Sequence, residues 1–196
     1  QIRKFGFRFF FSEGSEEIDR CTELGVSQLL PTPSWQLDRG RFENFLGEHA
    51  RGLGVQFRDA AIVRGIELDA IGGHEVRFDH DGGQHVLGAR WVVDASGRAG
   101  LLKRKLDLAE ANDHEVNAVW WRVDGFVDPN LWSDDPRWLG RCDPPDRWRS
   151  TNHMCGPGYW FWLIPLASGA HSVGIVCDGD MHPLDGMNTL DKAMDW

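Results

Sequence analysis

The sequence predicts a mixed α/β (α+β) protein built around an antiparallel sheet, and three observations predict it. Short aromatic and aliphatic runs bounded by Gly- and Pro-rich turns recur along most of the chain, as strands do. One stripe, Phe42, Phe45, Leu46, His49, Ala50 and Leu53, keeps helical spacing. Third, Tyr159 to Pro165 is apolar throughout, with Gly156-Pro157-Gly158 before it, and reads as the central strand. On that strand Trp160 and Trp162 point one way and Phe161 and Leu163 the other. Both faces are large and apolar, which predicts cover on both sides.

Composition narrows the function. The chain has 196 residues, enough for one good core or two modest ones. With 21 Lys plus Arg against 30 Asp plus Glu the net charge is −9, and no basic run suggests nucleic acid. No apolar stretch approaches the roughly 18 residues of a membrane span, and no signal peptide is visible. Cys21, Cys142, Cys155 and Cys177 form no C-x-x-C pair and no zinc spacing, so they read as reduced thiols of a cytoplasmic protein with no metal site. Ten tryptophans against one tyrosine suit a pocket for a flat aromatic ligand, or a Trp-rich core. The opening on Gln1 and the helix-like close at Asn188 to Trp196 read as an internal fragment of a longer chain.

The elements follow in order. Residues 1 to 11 read as a loop and a strand, Phe7 to Phe11, with Arg3-Lys4-Phe5-Gly6 just ahead of it. Residues 12 to 34 are polar and close on Pro31-Thr32-Pro33, a turn or helix plus an extended connector. The helix follows, with Asp38 as N-cap, Gly52 and Gly54 as its stop, and His49 as a core histidine on its apolar stripe. Val55 to Asp59, Ala61 to Asp69, Glu75 to Asp79 and His85 to Ala89 read as strands joined by Gly-rich turns, an antiparallel meander. Trp91-Val92-Val93 reads as a buried strand ending in Asp94-Ala95-Ser96-Gly97-Arg98. A new strand runs from Val116 to Val123, a Pro- and Trp-rich loop reaches Arg149, and Ala170 to Cys177 returns alongside the central strand. His153 reads as a structural histidine at a strand start, with a general-base role as the alternative.

Trp160-x-Trp162-x-Ile164-Pro165 matches the W-x-W-x-I-P signature of flavin-dependent halogenases of the tryptophan type. Gln36-x-x-Arg39-x-x-Phe42-x-x-x-Leu46 is similar to the start of the corresponding helix in FAD monooxygenases and halogenases. Asp94 to Gly97 resembles the Asp-Gly-like turn at the carboxyl end of the last strand in glutathione-reductase-type FAD domains, where open α/β sheets place ligands. The plain alternative is a capped strand-to-helix turn. Lys4-Phe5-Gly6 is similar to the Lys-x-Gly context of the family's essential lysine, and an exposed lysine ahead of a strand is its alternative.

This resemblance implies a p-hydroxybenzoate hydroxylase-like FAD-dependent oxidoreductase. It implies a partial FAD-binding domain over residues 33–113 and a discontinuous substrate-domain sheet over 1–32 and 114–196. Gln36, Arg39, Asp94, Ala95, Ser96 and Gly97 would contact FAD. Trp160, Trp162, Ile164 and Pro165 would line the flavin and substrate tunnel, and Lys4 would be catalytic. The implied partners are an aromatic small molecule, halide and a separate flavin reductase, with no nucleic acid and no membrane. The implied reaction uses reduced FAD, O2 and halide to halogenate an electron-rich aromatic ring. Two alternatives remain: an FAD-dependent monooxygenase or reductase of the same fold, and an inactive remnant that binds aromatic ligands. The Gly-x-Gly-x-x-Gly turn that seats FAD pyrophosphate is absent from this sequence, so the fragment is expected to be inactive by itself.

Overall fold

The computed structural model describes residues 1–196 and divides them into two units, residues 1–43 with 113–196 and residues 44–112. Each is described by itself. The division places residues 33–43 with the large sheet, eleven residues beyond the boundary read from the sequence. Local pairing accounts for that. The two-residue strands β1 (Ile2–Arg3) and β4 (Trp35–Gln36) pair antiparallel, with Ile2 opposite Gln36.

The first unit is built on a six-stranded sheet. Its members are β2 (Phe7–Phe11), β3 (Thr22–Gly25), β8 (Val116–Asp124), β9 (Thr151–Gly156), β10 (Tyr159–Pro165) and β11 (Ala170–Asp178). They lie in the order β3-β2-β9-β10-β11-β8. All pairs are antiparallel except β2 with β9. The sequence predicted β2, β8, β10 and β11. It missed β3, which sits in the polar stretch 12–34, and it did not extend Thr151–Gly156 into a full strand. Both are recruited by tertiary pairing: Glu23 lies opposite Phe10, and Phe9 opposite His153. A strand whose alternate positions include Glu, Arg or His carries a weak apolar signal.

One face of this sheet is packed. Phe10, Cys21 and Trp138 form one buried cluster, and Ile175, Cys177, Met187 and Ala193 another. Trp138 sits on a single helical turn, α3 (Pro136–Leu139), and Ala193 on α4 (Leu190–Asp195). A buried polar knot also lies here. Arg147 donates from Nε and Nη2 to the two carboxylate oxygens of Glu23 at 2.7 and 2.9 Å, and Arg8 pairs with the same carboxylate. Arg147 continues to Asn130 Oδ1 at 2.8 Å and the Trp138 carbonyl at 2.7 Å, and its guanidinium stacks 4.0 Å over the Trp138 ring.

The boundary between the units falls within α1 (Arg39–Gly52). Its first bond runs from the Phe42 amide to the Asp38 carbonyl at 3.0 Å, and Gly54 follows its end with φ of 84°. The apolar stripe, however, is not buried: Phe45, Leu46 and Leu53 are exposed, Phe42 and Ala50 are half-buried, and only Gly47 is fully covered. His49 is therefore a solvent-facing residue stacked on Phe45 at 5.8 Å, and not a core histidine. The rest of the second unit is the meander β5 (Ile62–Glu67), β6 (His74–His80) and β7 (Gly83–Ala89), with Ile66 and Phe78 buried. Val55 to Asp59 forms no strand, because α1 ends into a turn at Gly54 and the pairing begins only at Ile62. Trp91-Val92-Val93 forms none either: Trp91 is 84% and Val93 88% exposed, and no strand of the meander pairs with them.

Candidate functional site

The halogenase-like residues of the first unit share the second face of the sheet. Strand alternation decides this. Trp160, Trp162 and Ile164 on β10 lie on the same side as His153 and Cys155 on β9 and Phe7, Phe9 and Phe11 on β2. A direct cross-strand row runs Leu24, Phe9, His153, Trp162, Gly174 and Trp120. This face is aromatic and open: Phe7, Leu24 and Trp120 are exposed, and Trp160 and Trp162 are half-buried. The expectation of full cover on both sides of β10 is therefore corrected. Its opposite side, with Phe161 and Leu163, lines an apolar cavity of about 550 Å3 together with Trp121, Val173, Ile175 and Trp196.

Lys4 belongs to the open face. Its backbone is stitched down on both sides: the Lys4 amide donates to the Ser34 carbonyl at 2.8 Å, Phe5 to Arg149 at 3.1 Å, and Thr151 to Gly6 at 3.0 Å. Phe5 is buried, and Gly6 turns the chain with φ of 93°. That conformation suits glycine. The side chain then emerges over the Phe7 ring, with Nζ 3.3 Å from its centroid. Burial lowers the Lys4 pKa, because removing water disfavours the charged form. The ammonium rests on that ring and has no carboxylate partner.

Trp162 is held by two contacts. Its indole Nε1 donates to Ser172 Oγ at 3.3 Å, and its six-membered ring closely approaches Gly174 through Cζ2 and Cη2. Pro165 is buried at the end of the strand, opposite His171. His153 stacks on Phe9, with ring centroids 4.7 Å apart and an interplanar angle of 15°.

The remaining predicted residues are placed as follows. Gln36 is buried, and its amide is engaged by Thr151 Oγ1 at 3.1 Å and the Arg149 carbonyl at 3.4 Å, so it braces β4 against β9. Arg39 is exposed at the start of α1 and paired with Glu43 at 2.6 Å. Asp38, one residue before it, is buried and bonded to Arg122 at 2.9 Å; sequence reading gave it only a capping role. Ser168 and Arg122 bonds outweigh its burial and hold its carboxyl below the usual range. In the second unit Asp94 accepts from the Ser96 amide at 3.0 Å and the Leu102 amide at 2.7 Å, capping the turn into α2 (Leu101–Lys105). The Ser96 side chain and these amides lower its pKa. Ser96 Oγ accepts from Leu101 at 3.3 Å. Gly97 has φ of 60°, and nothing lies within 4 Å of where its Cβ would stand, so the uncovered backbone of Ala95 to Gly97 admits close approach by a cofactor.

Comparison with known proteins identifies the family. Residues 24–195 match the family model described as tryptophan halogenase. The chain is 44% identical over 215 residues to the flavin-dependent halogenase chlA of Dictyostelium discoideum, covering 97% of this chain and 35% of that one. It is 26% identical over 166 residues to the 1H-pyrrole-2-carbonyl-[peptidyl-carrier protein] brominase of Pseudoalteromonas luteoviolacea, covering 84% and 37%. Among solved structures, halogenase PltM superposes with a TM-score of 0.70 at 20% identity over 92% of this chain and 36% of that one. The flavin-dependent halogenase CmlS superposes at 0.67, with 21% identity over 99% and 35%. The chain thus spans between about a quarter and little more than a third of the curated relatives it matches. The matched residues include β8 to β11 and the complete Trp160 to Pro165 motif, and this chain belongs to the tryptophan halogenase family.

Proposed function

We propose that the intact protein is an FAD-dependent oxidoreductase that installs halogen on an electron-rich aromatic small molecule, with Lys4 as the halogen-carrying residue. One observation carries this reading: Lys4, half-buried and without a carboxylate, lies on the same face of the sheet as Trp160 and Trp162. Family membership supports it.

Bound reduced FAD supplies the oxygen chemistry that turns halide into hypohalous acid. The residues of this chain do the rest. The Lys4 ammonium, a compact charge with three donors, holds the hypohalous acid oxygen and orients its halogen outward. Trp160, Trp162 and Ile164 wall the space between cofactor and substrate, and Pro165 ends that wall. The aromatic ring attacks the halogen, the oxygen leaves as water, and the ring loses a proton. Arg39 suits a phosphate, with Gln36 fixing the start of α1 from within; in the second unit, taken by itself, the open Ala95 to Gly97 backbone suits ribose, with Asp94 shaping that turn as its cap. In this reading residues 33–113 contribute to the cofactor domain, and the six-stranded sheet is the substrate domain. Halide and a separate flavin reductase are the remaining partners. The brominase relative is named for a substrate on a carrier protein; we assign this chain a free aromatic substrate, in the cytoplasm.

The test supplies the intact protein with FAD, a flavin reductase, bromide and a panel of indoles, phenols and pyrroles, and reads products by mass spectrometry. Brominated product that disappears in Lys4→Met, with FAD binding unchanged, is the expected result. Hydroxylated product, or peroxide alone, overturns the reading. Bromination retained in Lys4→Met removes Lys4 from it.

A further inference from the structure

Halogenation of an aromatic ring releases a proton from the carbon that receives the halogen, so a base must stand close to the halogen carrier. On the open face of the sheet the carrier is Lys4. Lys4 lies over Phe7 of β2, and the side chains that share this face further along are Phe9 and Phe11 from β2, His153 and Cys155 from β9, and Trp160 and Trp162 from β10. No carboxylate projects from these central strands on this side. Asp124 and Asp178 stand at opposite ends of the sheet, and Asp38 is committed to Arg122. Arg8, between Phe7 and Phe9, points through to the other face and Glu23.

We propose, building on the functional reading above, that His153 is the base that takes the ring proton of the aromatic substrate beside Lys4. Geometry supports this in three ways. Lys4 and His153 both reach the Phe7 ring, Nζ at 3.3 Å and the imidazole centroid at 5.9 Å, so one substrate ring can lie against both. The imidazole is stacked in place on Phe9 and lies opposite Trp162 across the strands. Its Nδ1 is enclosed with no hydrogen-bond partner, so Nε2 is the ring nitrogen that meets the open face and would accept the proton. Burial, reinforced by the Lys4 charge, lowers the His153 pKa, and the backbone at Arg8 and Thr151 only partly opposes this. The ring therefore stays neutral, with a free lone pair, at neutral pH. The nearby Cys155 thiol is pushed up by burial and stays protonated. The step balances: ArH and HOX give ArX and water, the departing hydroxide taking a proton from the Lys4 ammonium, which is reprotonated from solvent. The proton leaves the ring carbon for the imidazole, the C–H electron pair restores aromaticity, and the imidazolium returns its proton to solvent.

Two measurements on the intact protein test this. The first is NMR titration of 15N-histidine-labelled protein without substrate. His153 is expected to titrate below the usual histidine range, and to move upward in Lys4→Met. Titration at or above the usual range, or no response to Lys4→Met, overturns the proposal. The second compares wild type with His153→Asn, and with His153→Gln should the first variant melt early. Hypohalous acid captured by a thiol trap should be unchanged, while ring halogenation falls about 100-fold. A ring-deuterated substrate should then show a primary isotope effect absent in wild type. Halogenation within about twofold of wild type, with no isotope effect, overturns the role of His153. Absence of both trapped hypohalous acid and halogenated product in wild type would instead overturn the function on which it rests.

Discussion

The ring of Trp162 rests on Gly174: a Cβ at Gly174 would stand 2.4 Å from Trp162 Cζ2 and Cη2 and 2.7 Å from the Val119 carbonyl oxygen. The two residues are register partners on β10 and β11. The glycine inside β11 thus leaves the room that the second tryptophan of the motif occupies beside the neighbouring strand.

Gly174→Ala should therefore destabilise the protein by about 1–3 kcal/mol, since added volume at a close contact forces side chain or backbone to move. Thermal unfolding should show it. The coupling with Trp162→Ala should recover part of the loss, by about 0.5–3 kcal/mol in a double-mutant cycle. Additive losses would mean that the contact does not carry the effect.

Gly6 sets the direction of Lys4. Its φ is 93°, and a Cβ there would lie 3.0 Å from Val26 Cγ2. Gly6→Ala should lower the melting temperature and cut halogenation, with FAD affinity retained. Wild-type turnover in this variant would show that the Lys4 turn tolerates other backbone geometry.

Glu23 lies buried between Arg8 and Arg147. Burial alone would raise its pKa, but the bonds and charges of Arg147 and Arg8 outweigh it and hold the carboxyl below its usual range. A depressed folded-state pKa means that its stabilisation is complete above the unfolded value of about 4.3 and is lost as pH falls through the folded value. Glu23→Gln should cost about 3–5 kcal/mol at neutral pH, because two buried guanidinium groups lose their counter-charge. The difference in melting temperature between variant and wild type should shrink as the solution is acidified below pH ~4. A constant difference down to pH ~2 would exclude this linkage.

Asp94 holds the Ser96 and Leu102 amides. Asp94→Ala should speed hydrogen exchange at those two amides, and Asp94→Asn should largely restore protection because its carbonyl oxygen can still accept. Unchanged exchange in Asp94→Ala would dismiss the cap.

Sequence and structure agree where the local signal and the tertiary environment coincide. Tyr159–Pro165 is apolar and Gly-bounded, and it is a strand with the predicted alternation. The Phe42-to-Leu53 stripe does lie on a helix. But the stripe faces solvent, and so does Trp91 to Val93. Periodicity reports which side of an element is apolar, and not whether anything covers it. The Arg8–Glu23–Arg147 knot was illegible for another reason: Glu23 and Arg147 are 124 positions apart, and a charged residue on a strand ordinarily reads as solvated.

By itself, then, the sequence determined the family resemblance, the central strand, the alternation that separates Trp160 and Trp162 from Phe161 and Leu163, and the lysine ahead of β2. These are local properties of spacing and residue type. Only the tertiary structure decided that Lys4, Phe9, His153 and Trp162 share one face, because that depends on β2 pairing parallel to β9 in one register. A shift of one residue would have turned His153 away from Phe9 and sent it to the other side of the sheet.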